Sequence, residues 1–172
     1  MNFLAIDPGL RNCAAVLCEV SRDRETKEVS VKVIWSVVRD LRSKKTNPDY
    51  SKGAEFAEEV SVVLSSLEDV AGVLIEYQPP MNVKRNPALV RWNSSIEGFF
   101  FGYLIRNFPV KHVYSSVVKK FFRIASGGHG LNKSLAKEKA KEFIDKSETR
   151  KMTDHEADCI LMCVFEFIKR NP

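Results

Sequence analysis

Asp7 and Glu76 each end an apolar run, NFLAID (2–7) and AGVLIE (71–76), and each is followed by a break in the chain pattern, PGLR in one case and YQPP in the other. Open α/β sheets carry their sites at the C-terminal ends of strands. Two carboxylates on neighbouring strand ends repel one another unless a cation lies between them. Oxygen donors suit Mg²⁺ or Mn²⁺. A third group opens the last apolar segment: His155 and Asp158 are three residues apart and share one helix face. Charge at the head of a buried face calls for a partner or a metal. Taken singly, Asp7 also reads as a turn former, Glu76 as a strand-end charge, and the 155/158 pair as part of an N-terminal charge cluster with Asp154 and Glu156. Their occurrence together points to a divalent-cation site.

The elements that must position these groups follow from periodicity. Residues 2–7, 12–20 and 29–38 read as strands, with Val29, Val31, Val33, Trp35 and Val37 alternating onto one face. Residues 39–53 are polar and basic and read as a loop. From Ala54 the spacing becomes helical: Ala54, Ala57, Val60, Leu64 and Leu67 fall on one side. A fourth strand spans 71–76, a long helix about 88–106, and a fifth strand about 112–115. A short helix follows at about 116–125, then the loop SGGHGLN. A basic helix is expected over about 133–146 with Asn132 as its N-cap, and a last helix over about 154–169 with Thr153 as its N-cap. The order βββαβαβααα predicts an α/β domain with one mixed sheet, a single domain over 1–172.

Composition limits the function classes. The chain has 172 residues, 44% of them apolar, enough for a sizeable core. It has no apolar membrane span, and MNFLAIDPGL lacks the basic and long apolar regions of a secretory signal. Cys13, Cys18, Cys159 and Cys163 form no zinc-like spacing and sit in apolar contexts, as reduced buried thiols do. A reducing intracellular compartment is therefore expected. The net charge of +5 favours polyanionic partners. Much of the positive charge lies between Lys84 and Lys141. SGGHG is not read as a phosphate loop, because no GK[ST] follows it and no strand directly precedes it; a mobile loop with His129 at the surface is expected instead.

Three stretches resemble the Holliday-junction resolvases of the RuvC and poxvirus type. IDPGLRNCA (6–14) is similar to their first motif, VLIEYQPP (73–80) to their second and HEADCILM (155–162) to their third. The Glu-x-Gln-Pro form of the second is nearer the poxvirus and fungal mitochondrial members than the bacterial ones. VVKKF, GGHG and AKEKA (117–140) resemble the family's lysine, glycine loop and second lysine. The resemblance implies an RNase H-like fold with a central five-stranded mixed sheet flanked by helices. It implies a metal-dependent endonuclease acting on four-way DNA junctions as a homodimer joined through the 88–106 helix, in the cytoplasm of a bacterium or virus-infected cell, with organelle and nucleus left open. Asp7, Glu76, His155 and Asp158 would be the catalytic and metal-binding set, holding two Mg²⁺ or Mn²⁺ ions. His155 departs from most relatives, which carry Asp there. Lys137 would meet the scissile phosphate, with Lys119 and Lys133 as rivals for that role. Arg11, Lys84, Arg85, Arg91, Lys119, Lys120, Lys133 and Lys137 would grip DNA phosphates. Tyr77 adjoins the second motif but does not match the family's aromatic in offset. The alternatives are a nuclease of the same fold acting on other branched DNA or on RNA–DNA hybrids, and a junction-binding protein with weak or no catalysis. A sugar-kinase/actin-like nucleotide binder is disfavoured by the short chain.

Overall fold

The structure, a computed structural model, describes residues 1–44, 47–77, 87–124, 129–144 and 151–172; at 44, 47–48, 87–92 and 129–130 it describes the backbone only. Strands β1 (Asn2–Pro8), β2 (Cys13–Arg22) and β3 (Val29–Arg39) are followed by a small pair, β4 (Arg42–Lys44) and β5 (Asn47–Pro48). Then come α1 (Tyr50–Ser65), β6 (Gly72–Glu76), α2 (Pro87–Leu104), β7 (Val110–Val113), α3 (Ser115–Phe121), α4 (His129–Phe143) and α5 (Asp154–Arg170). The main sheet runs β3-β2-β1-β6-β7. β1, β2 and β3 pair antiparallel, while β6 and β7 continue parallel to β1. The expected five-stranded mixed sheet flanked by helices is present.

The sheet divides the core into two layers. Phe3, Ala5, Ala14, Val16 and Leu74 face α3, α4 and α5, packing on Val118, Ala136, Ala140, Ala157 and Ile160. Leu4, Ile6, Ala15, Leu17, Val73 and Ile75 face α1 and α2, packing on Phe56, Val60, Ile96 and Phe100. β1 is buried on both faces, which is why its sequence is a continuous apolar run rather than an alternation. Among the described residues, no helix is long and apolar enough to cross a membrane. All four cysteines are free and buried.

β3 departs from the expected single face. Its register passes from Leu17–Trp35 to Cys18–Val33, so Ile34 is an extra residue with none opposite it on β2. Such a bulge breaks the two-residue period. Val29, Val31 and Val33 therefore pack in the α5 layer, whereas Trp35 and Val37 pack in the α1–α2 layer.

Several element boundaries also shift. Part of the 39–53 loop is the β4–β5 pair, and α1 starts at Tyr50 because the Asp49 side chain accepts from the Ser51 and Lys52 amides. Ala54 is consequently exposed, while Gly53 and Phe56 join the buried face. β7 begins at Val110, with the Val73 amide bonded to the Pro109 carbonyl, and Tyr114 becomes the N-cap of α3. α3 is shorter than expected. Arg123 adopts φ 58°, and the Ile124 amide reaches back to the Lys119 carbonyl while the Arg123 amide bonds the Lys120 carbonyl, a Schellman closure. α4 begins at His129, which places Asn132 inside the helix rather than at its cap. Residues 125–128 of the glycine loop lie outside the described residues.

Candidate metal centre

Sheet register brings the two strand-end carboxylates together. Ile6 lies opposite Ile75 in the parallel β1–β6 pair, so Asp7 and Glu76 are the next step on adjacent strands. Side chains alternate across a sheet. Phe3 and Ala5 precede Asp7 by four and two residues, Leu74 precedes Glu76 by two, and all three face the α5 layer. Both carboxylates therefore point under α5. Asp7 is 6% exposed. The turn after it is tight: the Gly9 amide donates to the Asp7 carbonyl at 2.9 Å, and a Cβ on Gly9 would stand 3.2 Å from the Asn12 carbonyl oxygen.

The start of α5 is fixed by a capping box. Thr153 Oγ1 accepts from the Glu156 amide at 3.2 Å, and Glu156 Oε2 accepts from the Thr153 amide at 2.9 Å. Ser36 of β3 donates to Glu156 Oε1 at 2.9 Å, tying this first turn to the sheet. Further along, the Cys159 thiol donates to the Ala14 carbonyl and the Cys163 thiol to the Phe3 carbonyl. Small side chains here let the helix lie close over β1 and β2, with His155 and Asp158 above the strand ends.

The resulting contacts are specific. His155 Nδ1 is 2.6 Å from Asp7 Oδ2. Its Nε2 is 3.2 Å from Asn12 Nδ2 and 4.0 Å from Asp154 Oδ2. Glu76 and Asp7 share a hydrogen bond between their side chains. Lys119 Nζ stands 3.4 Å from Asp158 Oδ2. Lys133 donates to Asp154 Oδ2 at 2.5 Å, and Lys137 Nζ is 3.9 Å from Asp154 Oδ1.

Protonation follows this crowding. Burial, then the charges of Asp7 and Asp158, push the Glu76 carboxyl well above the usual range, against a smaller opposing pull from Lys119. A hydrogen bond between two carboxyls needs a proton, which the pair shares. Burial also raises Asp158, with Lys119 opposing and Asp7 adding. The bond to Asp7 raises the His155 imidazole against a smaller opposing effect of burial. Lys133 holds Asp154 below its ordinary value.

The donor set suits a hard divalent cation: three carboxylates and an imidazole on neighbouring elements, two of the carboxyls raised by burial and by mutual repulsion that a cation would relieve. Among the described residues, no three of these side chains already converge on one point as ligands. The contacts give the reason: Asp7 is engaged by His155 and Glu76, and Asp158 by Lys119.

The structure thus gathers Asp7, Glu76, His155 and Asp158. Among the described lysines, Lys119 pairs with Asp158 of this carboxylate set, while Lys133 and Lys137 flank it through Asp154. Arg11 and Lys120 are exposed nearby in sequence to Asn12 and Lys119. Lys84 and Arg85, and the side chain of Arg91, lie outside the described residues. Asn12 and Asp154 were not singled out by sequence. Asn12 stands within the first motif stretch, yet reads there as the start of a strand.

No family model matches the chain, and no curated protein matches it significantly. Solved structures do. Thermus thermophilus RuvC, in complex with a Holliday junction substrate, is 15% identical, with 99% of this chain and 96% of that chain covered and a TM-score of 0.69. The fowlpox virus resolvase, in complex with Holliday junction DNA, is 16% identical, with 98% and 99% covered and a TM-score of 0.56. The yeast mitochondrial Holliday junction resolvase is 15% identical, with 99% and 84% covered and a TM-score of 0.51. At these identities the likeness is one of fold: the chain has the RNase H-like architecture of RuvC-type resolvases over nearly its whole length.

Proposed function

We propose that this chain, as one domain over 1–172, is a structure-selective endonuclease that resolves four-way DNA junctions by divalent-cation-dependent hydrolysis, making paired symmetric nicks as a homodimer. One observation carries the reading. Asp7, Glu76, His155 and Asp158, distant in sequence, meet at the ends of β1 and β6 beneath α5. They do so in a fold shared end to end with proteins described as junction resolvases.

In this reading Asp7, Glu76 and Asp158 are the oxygen ligands, and His155 stands against Asp7 as the fourth member. Bound Mg²⁺ or Mn²⁺, as a pair, would supply an activated water and charge stabilisation at the scissile phosphate. Lys119, held 3.4 Å from Asp158, is placed to meet a phosphate oxygen once the carboxylates are engaged elsewhere. Lys133 and Lys137 extend positive charge along α4, with Lys137 the rival for the same role. Arg11 and Lys120, with Lys84, Arg85 and Arg91, would grip the backbone of the arms without reading sequence.

The outward face of α2 supports the dimer. Phe99 and Tyr103 stack at 5.9 Å yet remain 40% and 43% exposed, and open space surrounds Gly98 and Gly102. An isologous contact there would relate two sites by a two-fold axis that can coincide with that of a junction.

The test is incubation of the purified protein with a synthetic immobile four-way junction, with and without Mg²⁺ or Mn²⁺. Symmetric paired nicks only with the cation are expected. A junction bound and never cut would make the protein a binder. Preferential cutting of flaps or of RNA–DNA hybrids would reassign the substrate.

A further inference from the structure

We infer that Asn12 is the positioning residue of His155: its amide holds the ring's Nε2, so that Nδ1 is the nitrogen presented to Asp7 and to any cation Asp7 binds. Resting on the nuclease reading above, this adds a residue to its site. An α-helix fixes where a side chain starts but leaves the imidazole free to turn about its last torsion, since that torsion is broad. Two flanking groups remove the freedom here. Asp7 Oδ2 lies 2.6 Å from Nδ1, and Asn12 Nδ2 lies 3.2 Å from Nε2. Asp154 stands off from Nε2 at 4.0 Å and is drawn toward Lys133 and Lys137.

Asn12 is itself well anchored. It closes the turn that begins at Asp7, its backbone packed against Gly9 so tightly that a Cβ there would come within 3.2 Å. The next residue, Cys13, is already paired with Pro8 in the sheet. The β1–β2 connection therefore fixes the backbone from which the Asn12 side chain reaches His155.

The amide also suits both states of the ring. With Nδ1–H donating to Asp7, Nε2 carries a lone pair and the Asn12 NH₂ donates to it. If a cation takes the Nδ1 lone pair, the proton must sit on Nε2, and the same amide turned over offers Oδ1 as acceptor. The outer nitrogen of a metal-ligating histidine is normally held by such an oxygen. Alanine serves neither state, and aspartate only the second.

The experiment uses ¹⁵N-histidine protein and long-range ¹H–¹⁵N spectra of the ring nitrogens, without cation and with Mg²⁺. The chain has three histidines, so His155→Asn assigns the signals. In parallel, Mn²⁺ affinity is measured by electron paramagnetic resonance for wild type, Asn12→Ala and the near-isosteric Asn12→Asp, whose melting curves report folding. Wild type should show one tautomer. Asn12→Ala should lose that definition and bind Mn²⁺ about 10–100-fold more weakly. Asn12→Asp should recover most of the affinity. Ring spectra of Asn12→Ala identical to wild type, or Mn²⁺ affinity unchanged in a folded variant, would overturn the assignment while leaving the nuclease reading intact. A wild-type protein that binds no Mn²⁺ would instead sink that reading, and the cation role of Asn12 with it.

Discussion

Replacing Glu76 with glutamine should stabilise the cation-free protein while removing its activity. Adjacent strands stand about 4.8 Å apart, and the register sets Asp7 and Glu76 side by side on them. Two ionised carboxylates about 5 Å apart at an effective dielectric constant of about 20 repel by about 3 kcal/mol. The proton they share relieves part of this, which leaves a gain of about 1–2 kcal/mol for the neutral amide. In a chain of this size that is about 2–8 °C in Tm. The sign depends on pH. Burial and the neighbouring carboxylates raise Glu76 above its ordinary value of 4.5. The folded state therefore holds a proton that the unfolded state has lost, and wild-type stability declines as pH rises from 4.5 through the folded value. The variant lacks that decline. Melting curves in EDTA should coincide near pH 4 and separate by pH 7, the variant melting higher. Mg²⁺ should then raise the wild-type Tm more than the variant's. A Glu76→Gln protein that melts below wild type at pH 7 in EDTA would refute the crowding, and one that nicks junctions at the wild-type rate would remove Glu76 from the reaction.

Asp7→Asn should abolish junction cleavage while leaving gel-shift affinity within about twofold, because the basic surface is untouched; undiminished cleavage would show that Asp7 is dispensable. Lys119→Ala should slow single-turnover cleavage by about 10²–10³-fold, the scale of losing one charge-stabilising donor, whereas Lys137→Ala should slow it less; the reverse ranking would reassign the role. Glu166 tests the fold away from the site. It accepts from Lys111 at 2.7 Å and from Arg170 at 2.9 Å. Burial raises its carboxyl, but these two bonds outweigh burial and leave it below its ordinary value. Its contribution is thus present above pH 4.5 and lost as pH falls through the folded value. Glu166→Gln should cost about 1–2 kcal/mol at pH 7, about 2–8 °C, and almost nothing in strong acid; a gap that persists at pH 2 would contradict the ion-pair explanation. Phe99→Asp should shift sedimentation from dimer to monomer, and a wild-type monomer would dispose of the α2 interface.

What could be foreseen from sequence was what depends on local pattern. The buried run of β1 and its terminal Asp7, the matching grammar at Glu76 and the Thr153 cap of α5 all follow from neighbours along the chain. What escaped depends on backbone detail or on partners far away. Ile34 looks like one more residue of an alternating strand, and only pairing with β2 reveals it as surplus. Arg123 occupies a left-handed position where glycine would have announced the end of α3. Asn132 is a good cap residue, but α4 already has a turn ahead of it. Asn12 becomes noticeable only once α5 brings His155 across from 143 residues away.

The capping box has a consequence for how this protein tolerates change. Successive residues of an α-helix are rotated by about 100°. Inserting or deleting one residue just after Thr153 would leave α5 intact as a helix yet swing His155 and Asp158 through more than a quarter turn, away from the strand ends. The hydroxyl of Thr153, the carboxylate of Glu156 and the tether from Ser36 thus act as an angular index, and length variation is better accommodated upstream of that mark than a single position beyond it.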